Sequence, residues 1–458
     1  MKISKIEIKD FHQFKDLTID LTYPKGHAKE GQPLDKVCFI GQSGTGKTSL
    51  LELIPKYAVN YNTHLITKSG MPSLHDKVEV SFVFGENNKY TCRSTFSKNS
   101  LNSKINGLSN WIWSNDDINT DIAKSEKLLT EAISFIDNWQ QRENHKLIYF
   151  PANLLYNDNI KNDLPPLEDS IIDFSQQGVS YVWDSILAKI QLYQEKELQI
   201  RQEISKAIEN SKGSVVIDVI ENAAKKLKEW KQSEFNPIQD IADNCLNALL
   251  HSFKLKVKTE LDIKSKADLG FIKIEDKSGN EIPHDSWSTG TKQVIYSAMP
   301  LYQLKPMNTI ILFDEPERSL YPDLQRLIVD YYSSLTENCQ FFYSTHSPII
   351  ASNFEPWEIV ELKFNEEGKI YRELYYEGEN HVDNYKWNPK QMRWDDILQR
   401  IFDMENDGGP ERKKLLDELA ETNVKFKKLG KQGKGDTEEA KKLLSKIEIL
   451  SKELSHWD

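Results

Sequence analysis

Lys47 and Thr48 close the stretch Gly41 Gln42 Ser43 Gly44 Thr45 Gly46 Lys47 Thr48, which fits the phosphate-cradling pattern GxxxxGK[ST]. Glycines at that spacing let backbone N–H groups turn toward phosphate oxygens. The N-terminus of the helix that follows adds its dipole, Lys47 reaches the terminal phosphates of a nucleotide, and Thr48 can ligate Mg2+. An apolar run from Val37 to Ile40 precedes the loop and a helix-like run from Ser49 to Ile54 follows it, the context the pattern needs. Downstream, the apolar stretch Thr309 to Phe313 runs into Asp314 Glu315 Pro316, so two carboxylates stand at a strand end. Asp314 is placed to hold the same Mg2+, and Glu315 to orient or deprotonate an attacking water. Phe341 Phe342 Tyr343 leads to Thr345 His346 Ser347 Pro348, which puts His346 where it can meet a terminal phosphate. Ser288 Thr289 Gly290 Thr291 Lys292 Gln293 is a further polar, glycine-containing segment between the P-loop and the paired carboxylates. The expected nucleotide-binding residues of the phosphate loop are Gly41, Ser43, Gly44, Thr45, Gly46, Lys47, Thr48 and Ser49. Thr48 and Asp314 are the expected metal ligands, and Lys47, Glu315 and His346 the expected catalytic residues.

The order of these motifs resembles that of the ATP-binding-cassette (ABC) ATPases. Ile3, Ile6, Ile8, Phe11, Phe14, Leu17, Ile19 and Leu21 form an opening strand pair similar to the start of SMC, RecF and overcoming-lysogenisation (OLD) ATPases. The segments Asp314 to Pro322 and Ser344 to Pro348 are likewise similar to the OLD and RecF style rather than to transporter cassettes. The resemblance implies ATP and Mg2+ as cofactors. It also implies homo-oligomers built on head-to-tail dimers, in which Ser288 and Gly290 of one subunit cap the ATP held by Lys47 of the other. Ser43 stands where many relatives carry Asn, and Tyr321 where transporters carry Asp; neither change removes a phosphate or metal ligand. The glutamine that completes the Mg2+ shell in such enzymes stays open among Gln140, Gln141, Gln176 and Gln177. A cassette without an appended nuclease but with a helical tail resembles PtuA, the ATPase of Septu-type antiphage defence. That resemblance implies a separate HNH-type nuclease subunit as partner. The ATPase of PARIS-type defence, AriA, and a RecF-like DNA-repair ATPase are the alternatives.

Composition narrows the classes. The 458 residues suffice for two or three domains, and 38% hydrophobic residues for a real core. A net charge of -11 opposes nonspecific DNA binding by the whole surface, leaving DNA contact to a local groove. The four cysteines, Cys38, Cys92, Cys245 and Cys339, are scattered without a CxxC pair, which suggests neither a zinc site nor a disulfide framework and fits a cytoplasmic protein. No apolar run reaches the roughly 18 residues of a membrane span, so no membrane association is expected.

These elements predict an α/β fold: an ABC-type P-loop NTPase core with a helical insertion and a C-terminal helical tail. Residues 1–162 form the expected N-terminal lobe with the P-loop. Within it, Val78 to Phe84 and Tyr90 to Phe96 read as a hairpin and Lys146 to Phe150 as a strand, together a sheet edge beside the core. Residues 163–253, rich in Glu, Lys, Gln, Ile and Leu, read as a helical insertion, with Ile200, Ile204 and Ile208 at helical spacing and a break at Gly213. Residues 254–368 form the expected second lobe, and 369–458 a helical interaction region. There Leu443, Ile447, Leu450 and Leu454 follow a spacing of four, three and four that suits a helix pair, and Gly430 to Gly435 reads as a loop.

Overall fold

The computed structural model describes residues 2–57, 78–84, 90–96, 112–114, 147–154, 171–177, 179–210, 215–260, 272–404, 408–433, 435 and 437–454. They fall into two compact units, Met1–Gln391 and Met392–Asp458.

The first unit is organised by a seven-stranded sheet of order β15-β14-β3-β13-β12-β7-β8. Its members are β3 (Lys36–Gly41), β7 (Leu147–Phe150), β8 (Ile171–Asp173), β12 (Ile310–Asp314), β13 (Gln340–Ser344), β14 (Ile359–Phe364) and β15 (Ile370–Glu373). All neighbours pair in parallel except β14 with β15. A parallel sheet covered on both faces needs apolar side chains on both. That is why β12 and β13 are buried at every residue while the exterior strand β15 is not. Phe313 stacks on Phe150 at 4.5 Å and on Tyr332 at 4.6 Å, tying the middle strands to the helix beneath them.

A second sheet, β2-β1-β4-β5-β6, is antiparallel: β1 (Ile3–Phe11), β2 (Phe14–Asp20), β4 (Val78–Phe84), β5 (Tyr90–Phe96) and β6 (Ile112–Ser114). In β2, Phe14, Leu17 and Ile19 are buried while Lys15, Asp16, Thr18 and Asp20 are exposed, the half-buried pattern of an antiparallel strand. The hairpin and the strand near Phe150 therefore do not share one sheet edge. The hairpin joins this second sheet, and β7 lies inside the core sheet.

Between the lobes run α2 (Phe174–Gln177), α3 (Ser180–Asn210) and α4 (Val215–Ser233), which follow α1 (Lys47–Tyr57) in chain order. β8 and α2 lie beyond the expected boundary at 163, yet β8 pairs with β7, so the core extends into the segment read as insertion. Then come α5 (Pro237–Ile241), a π turn at Ala242–Leu246 and α6 (Asn247–Leu250). A small sheet, β11-β10-β9, follows: β9 (Leu255–Val257), β10 (Ile274–Asp276) and β11 (Glu281–Ile282). It delivers the chain to α7 (Thr289–Leu304). The remaining helices of this unit are α8 (Pro322–Ser334) and α9 (Pro348–Ala351).

The second unit contains α10 (Trp394–Arg400), α11 (Pro410–Lys431) and α12 (Glu438–Leu454). It begins at Met392 rather than at 369, because β15 completes the core sheet and Tyr376 and Tyr385 form a bridge after it. Leu415, Leu419, Thr422, Phe426 and Leu429 of α11 repeat at four and three, as do Ala440, Leu443, Ile447, Leu450 and Leu454 of α12; these are the less exposed positions of the two contacting helices. α11 runs on to Lys431, so Gly430 is helical rather than part of the loop. Among the described residues no helix is long and apolar enough to cross a membrane.

Candidate functional site

Three strand ends bring the distant motifs together. β13 lies between β3 and β12, and register places Asp314 beside Ser344 and Ser344 beside Phe39. The loops that leave these strands therefore open on one edge, at the carboxyl ends of parallel strands, where open α/β sheets bind their ligands.

The P-loop runs from the end of β3 into α1. Gly44 and Gly46 have φ of +87° and +80°, a region other residues enter only with strain. Gly46 also admits a close neighbour: a Cβ there would stand 2.1 Å from Gln13 Nε2 and 2.8 Å from the ring of Phe14. The turn between β1 and β2 thus braces the loop from outside. Lys47 is buried, and its ammonium donates to the carbonyls of Gly41 at 2.9 Å and Gln42 at 3.2 Å. Those carbonyls hold the positive charge where phosphate oxygens could replace them. Burial pulls the Lys47 pKa down to about 8, against the attraction of Glu315, Asp314 and Glu317.

Thr48 opens onto Asp314. Its hydroxyl stands 3.1 and 3.0 Å from the two carboxylate oxygens and donates to them. Burial raises the Asp314 pKa, and hydrogen bonding from Ser344 and Thr48 opposes that rise. Ser344, on the neighbouring strand at the level of Asp314, is buried. Hard oxygens gathered at a phosphate loop suit Mg2+, which commonly takes one or two protein ligands and fills its octahedron with water and phosphate. Thr48 and Asp314 fit that role. Among the described residues no group of three or more His, Cys, Asp or Glu is arranged for a metal.

Glu315 follows with φ of +44°, its N–H donating to Ser344 O at 2.9 Å, so the backbone turns sharply and the carboxylate is left partly exposed. His346, at the end of β13, brings Nε2 to 4.0 Å from Glu315 Oε1. Burial and the charge of Lys47 lower the His346 pKa, with Glu315 acting the other way. A neutral imidazole, a carboxylate, a buried ammonium and a carboxylate–hydroxyl pair thus face one edge. The arrangement can neutralise a triphosphate, hold Mg2+ and orient water.

Ser288 and Gly290 lie at the start of α7. Ser288 caps the helix, accepting from Thr291 N at 3.1 Å, and Ser288 and Thr289 are exposed. Gly290 is buried against the loop after Glu315: a Cβ there would come within 2.5 Å of Ser319 O. Among the described residues no hydrogen bond joins Ser288 or Gly290 to the Lys47 loop of the same chain, and Gly290 rests instead on the Ser319 loop. Of the open glutamines, Gln140 and Gln141 lie outside the described residues, and Gln176 and Gln177 sit on α2.

Two participants escaped the motif reading. Gln13 carries no local signal. Glu317 has one, a third acid in Asp314 Glu315 Pro316 Glu317, and its carboxyl accepts from Thr345 Oγ1 at 2.5 Å and His346 N at 3.1 Å. Burial raises its pKa to about 7, these hydrogen bonds opposing the rise.

A P-loop at the end of an interior strand of a largely parallel sheet, with paired carboxylates and a histidine on nearby strand ends, defines a cassette-type nucleotide-binding ATPase core. The chain belongs to the AAA ATPase domain family, whose model matches residues 1–351. Solved structures similar to it include an SMC head bound to the C-terminal winged-helix domain of ScpA, at 14% identity, TM-score 0.40, over 81% of this chain and 97% of that one. The SMC head from Thermotoga maritima is 12% identical, TM-score 0.36, over 82% and 99%. A Pyrococcus furiosus SMC head with an extended coiled coil, bound to the C-terminal domain of ScpA, is 13% identical, TM-score 0.36, over 81% and 96%. No curated protein matches the chain.

Proposed function

We propose that this chain hydrolyses ATP at a site completed by a second copy, and that the cycle controls a separate nuclease subunit in antiphage defence. The observation that carries the ATPase part is the meeting of Thr48 with Asp314 beside Lys47, Glu315 and His346, residues far apart in sequence on one sheet edge. In this reading Lys47 and the P-loop amides bind the phosphates of ATP, and Thr48 and Asp314 hold Mg2+, which supplies charge neutralisation when bound. Glu315 orients the attacking water and takes its proton, and His346 steadies the terminal phosphate. The exposed Ser288 and Thr289, anchored through Gly290 to the Ser319 loop, are free to cap the nucleotide of another copy. The second unit, with exposed Val424, Leu444 and Ile449 on its long helices, is the part offered to a protein partner.

Lys47→Ala is expected to abolish nucleotide binding, and Glu315→Gln to bind ATP while losing turnover. Unchanged turnover in Glu315→Gln removes the role given to Glu315. Native mass spectrometry of the complex purified with its neighbouring genes tests the partner. A stoichiometric small nuclease is expected, and recovery of this chain alone contradicts the defence reading.

A further inference from the structure

Glu317 sits where two loops of the site meet. Its Oε1 accepts from the hydroxyl of Thr345 at 2.5 Å and the backbone N–H of His346 at 3.1 Å. Its Oε2 is shut away from solvent with no hydrogen-bond partner among the described residues. The contacts continue into a closed ring. Ser347 N donates to Thr345 Oγ1 at 2.9 Å, and Ser347 Oγ donates to Gln325 Oε1 at 2.6 Å. Gln325 Nε2 donates to Leu320 O at 2.9 Å, and Leu320 N returns to Glu317 O at 2.9 Å. The ring joins the loop that carries Glu315 and Ser319 to the loop that carries His346.

We propose that Glu317 is a positioning residue of the hydrolysis site. By holding Thr345 and the main chain of His346 together it fixes the imidazole against the Glu315 carboxylate, and it couples that geometry to the Ser319 loop on which Gly290 rests. The inference deepens the ATPase reading and rests on it. The role needs an acceptor oxygen at Oε1 and not a negative charge. A glutamine amide can therefore take it over, whereas alanine opens the ring at its centre and leaves Thr345 Oγ1 and His346 N without their partner.

Glu317→Ala, Glu317→Gln and Thr345→Val, each in the full chain, are compared with wild type for kcat, for nucleotide affinity and for melting temperature. Glu317→Ala is expected to lose about tenfold or more in kcat with nucleotide affinity within about twofold, since misplacing a catalytic group costs rate rather than ground-state binding. Glu317→Gln is expected to keep kcat within about threefold of wild type. Thr345→Val, which keeps the side chain's shape while removing the hydroxyl that donates to Glu317 and accepts from Ser347 N, carries the test if the alanine variant does not fold. Its loss should not add to that of Glu317→Ala in the double variant. Wild-type kcat in Glu317→Ala or in Thr345→Val, glutamine no better than alanine, or additive losses would each overturn the inference. A wild-type chain that does not hydrolyse ATP overturns the ATPase reading with it, whereas a turning-over wild type beside an unimpaired Glu317→Ala overturns this inference alone.

Discussion

Gly290→Ala isolates the contact between the start of α7 and the Ser319 loop. The backbone of Gly290 is ordinary helix, so alanine introduces no φ strain there and gains roughly 1 kcal/mol of helix propensity. Its Cβ, however, would lie 2.5 Å from Ser319 O, 3.4 Å from Ser319 C and 3.5 Å from Leu320 Cδ2. Ordinary contact with the carbonyl oxygen requires the two backbones to part by about 0.9 Å. Ser319 already holds φ at +63°, so the loop has little freedom to absorb that motion and α7 must share it. Overpacking of this size costs about 1–3 kcal/mol, which the gain in propensity partly offsets, so the melting temperature should change by only a few degrees. Turnover should not be spared. A displacement near 1 Å in a positioning element costs up to about a hundredfold, and Ser288 moves with Gly290. The assay is steady-state ATP hydrolysis beside nucleotide binding at low protein concentration. Turnover is expected to fall at least about tenfold while binding, which rests on the Lys47 loop, stays unchanged. Wild-type turnover in this variant would refute the role given to the α7 terminus, and lost nucleotide binding would refute its separation from the Lys47 loop.

Two further outcomes follow from burial of charge. Lys47 is held at a pKa of about 8 and must be an ammonium to bind phosphate, so ATP affinity should weaken about tenfold from pH 7 to pH 9. Lys47→Arg, charged throughout, should bind with a flat profile, and parallel profiles would refute the assignment. Glu317 and Glu358 are both raised by burial from 4.5 to about 7. A carboxyl with a folded pKa above its unfolded one keeps its proton longer when folded. Stability is therefore fullest below about pH 4.5, falls as pH rises toward about 7, and levels off above it. Each group contributes at most about 3 kcal/mol to that decline. Melting curves from pH 5 to pH 8 should show Glu358→Gln declining less steeply than wild type, and equal slopes would contradict the burial argument.

Much of the site was legible because its chemistry is local in sequence. A phosphate loop needs its glycines and lysine at fixed spacing, and the apolar runs before Gly41, Asp314 and Thr345 mark the strands that present them. Glu317 stood out only as a third acid and its role was not legible, because its partners Thr345 and His346 reach it only through the pairing of β12 with β13. Gln13 was hidden for the same reason, its contact with Gly46 being set by where one hairpin packs. In the fold, β8 has only three residues, Ile171–Asp173, too short for alternation to show. β15, Ile370–Glu373, is an edge strand with partly exposed residues, so its polar stretch read as departure from the core. There Arg372 donates to Asp20 O at 2.9 Å, and the rings of Tyr376 and Tyr385 lie 5.4 Å apart, contacts that no periodicity announces.

The measurement that bears most directly on a site shared between copies is ATP hydrolysis by mixed subunits. Lys47→Ala and Ser288→Arg are each expected to be inactive alone, since every site in either homodimer lacks one half. In a head-to-tail dimer of one copy of each, both lesions fall in the same site and the other site is intact. Statistical mixing should therefore restore about a quarter of wild-type turnover. Absence of any recovered activity on mixing would contradict a nucleotide site completed by the second copy.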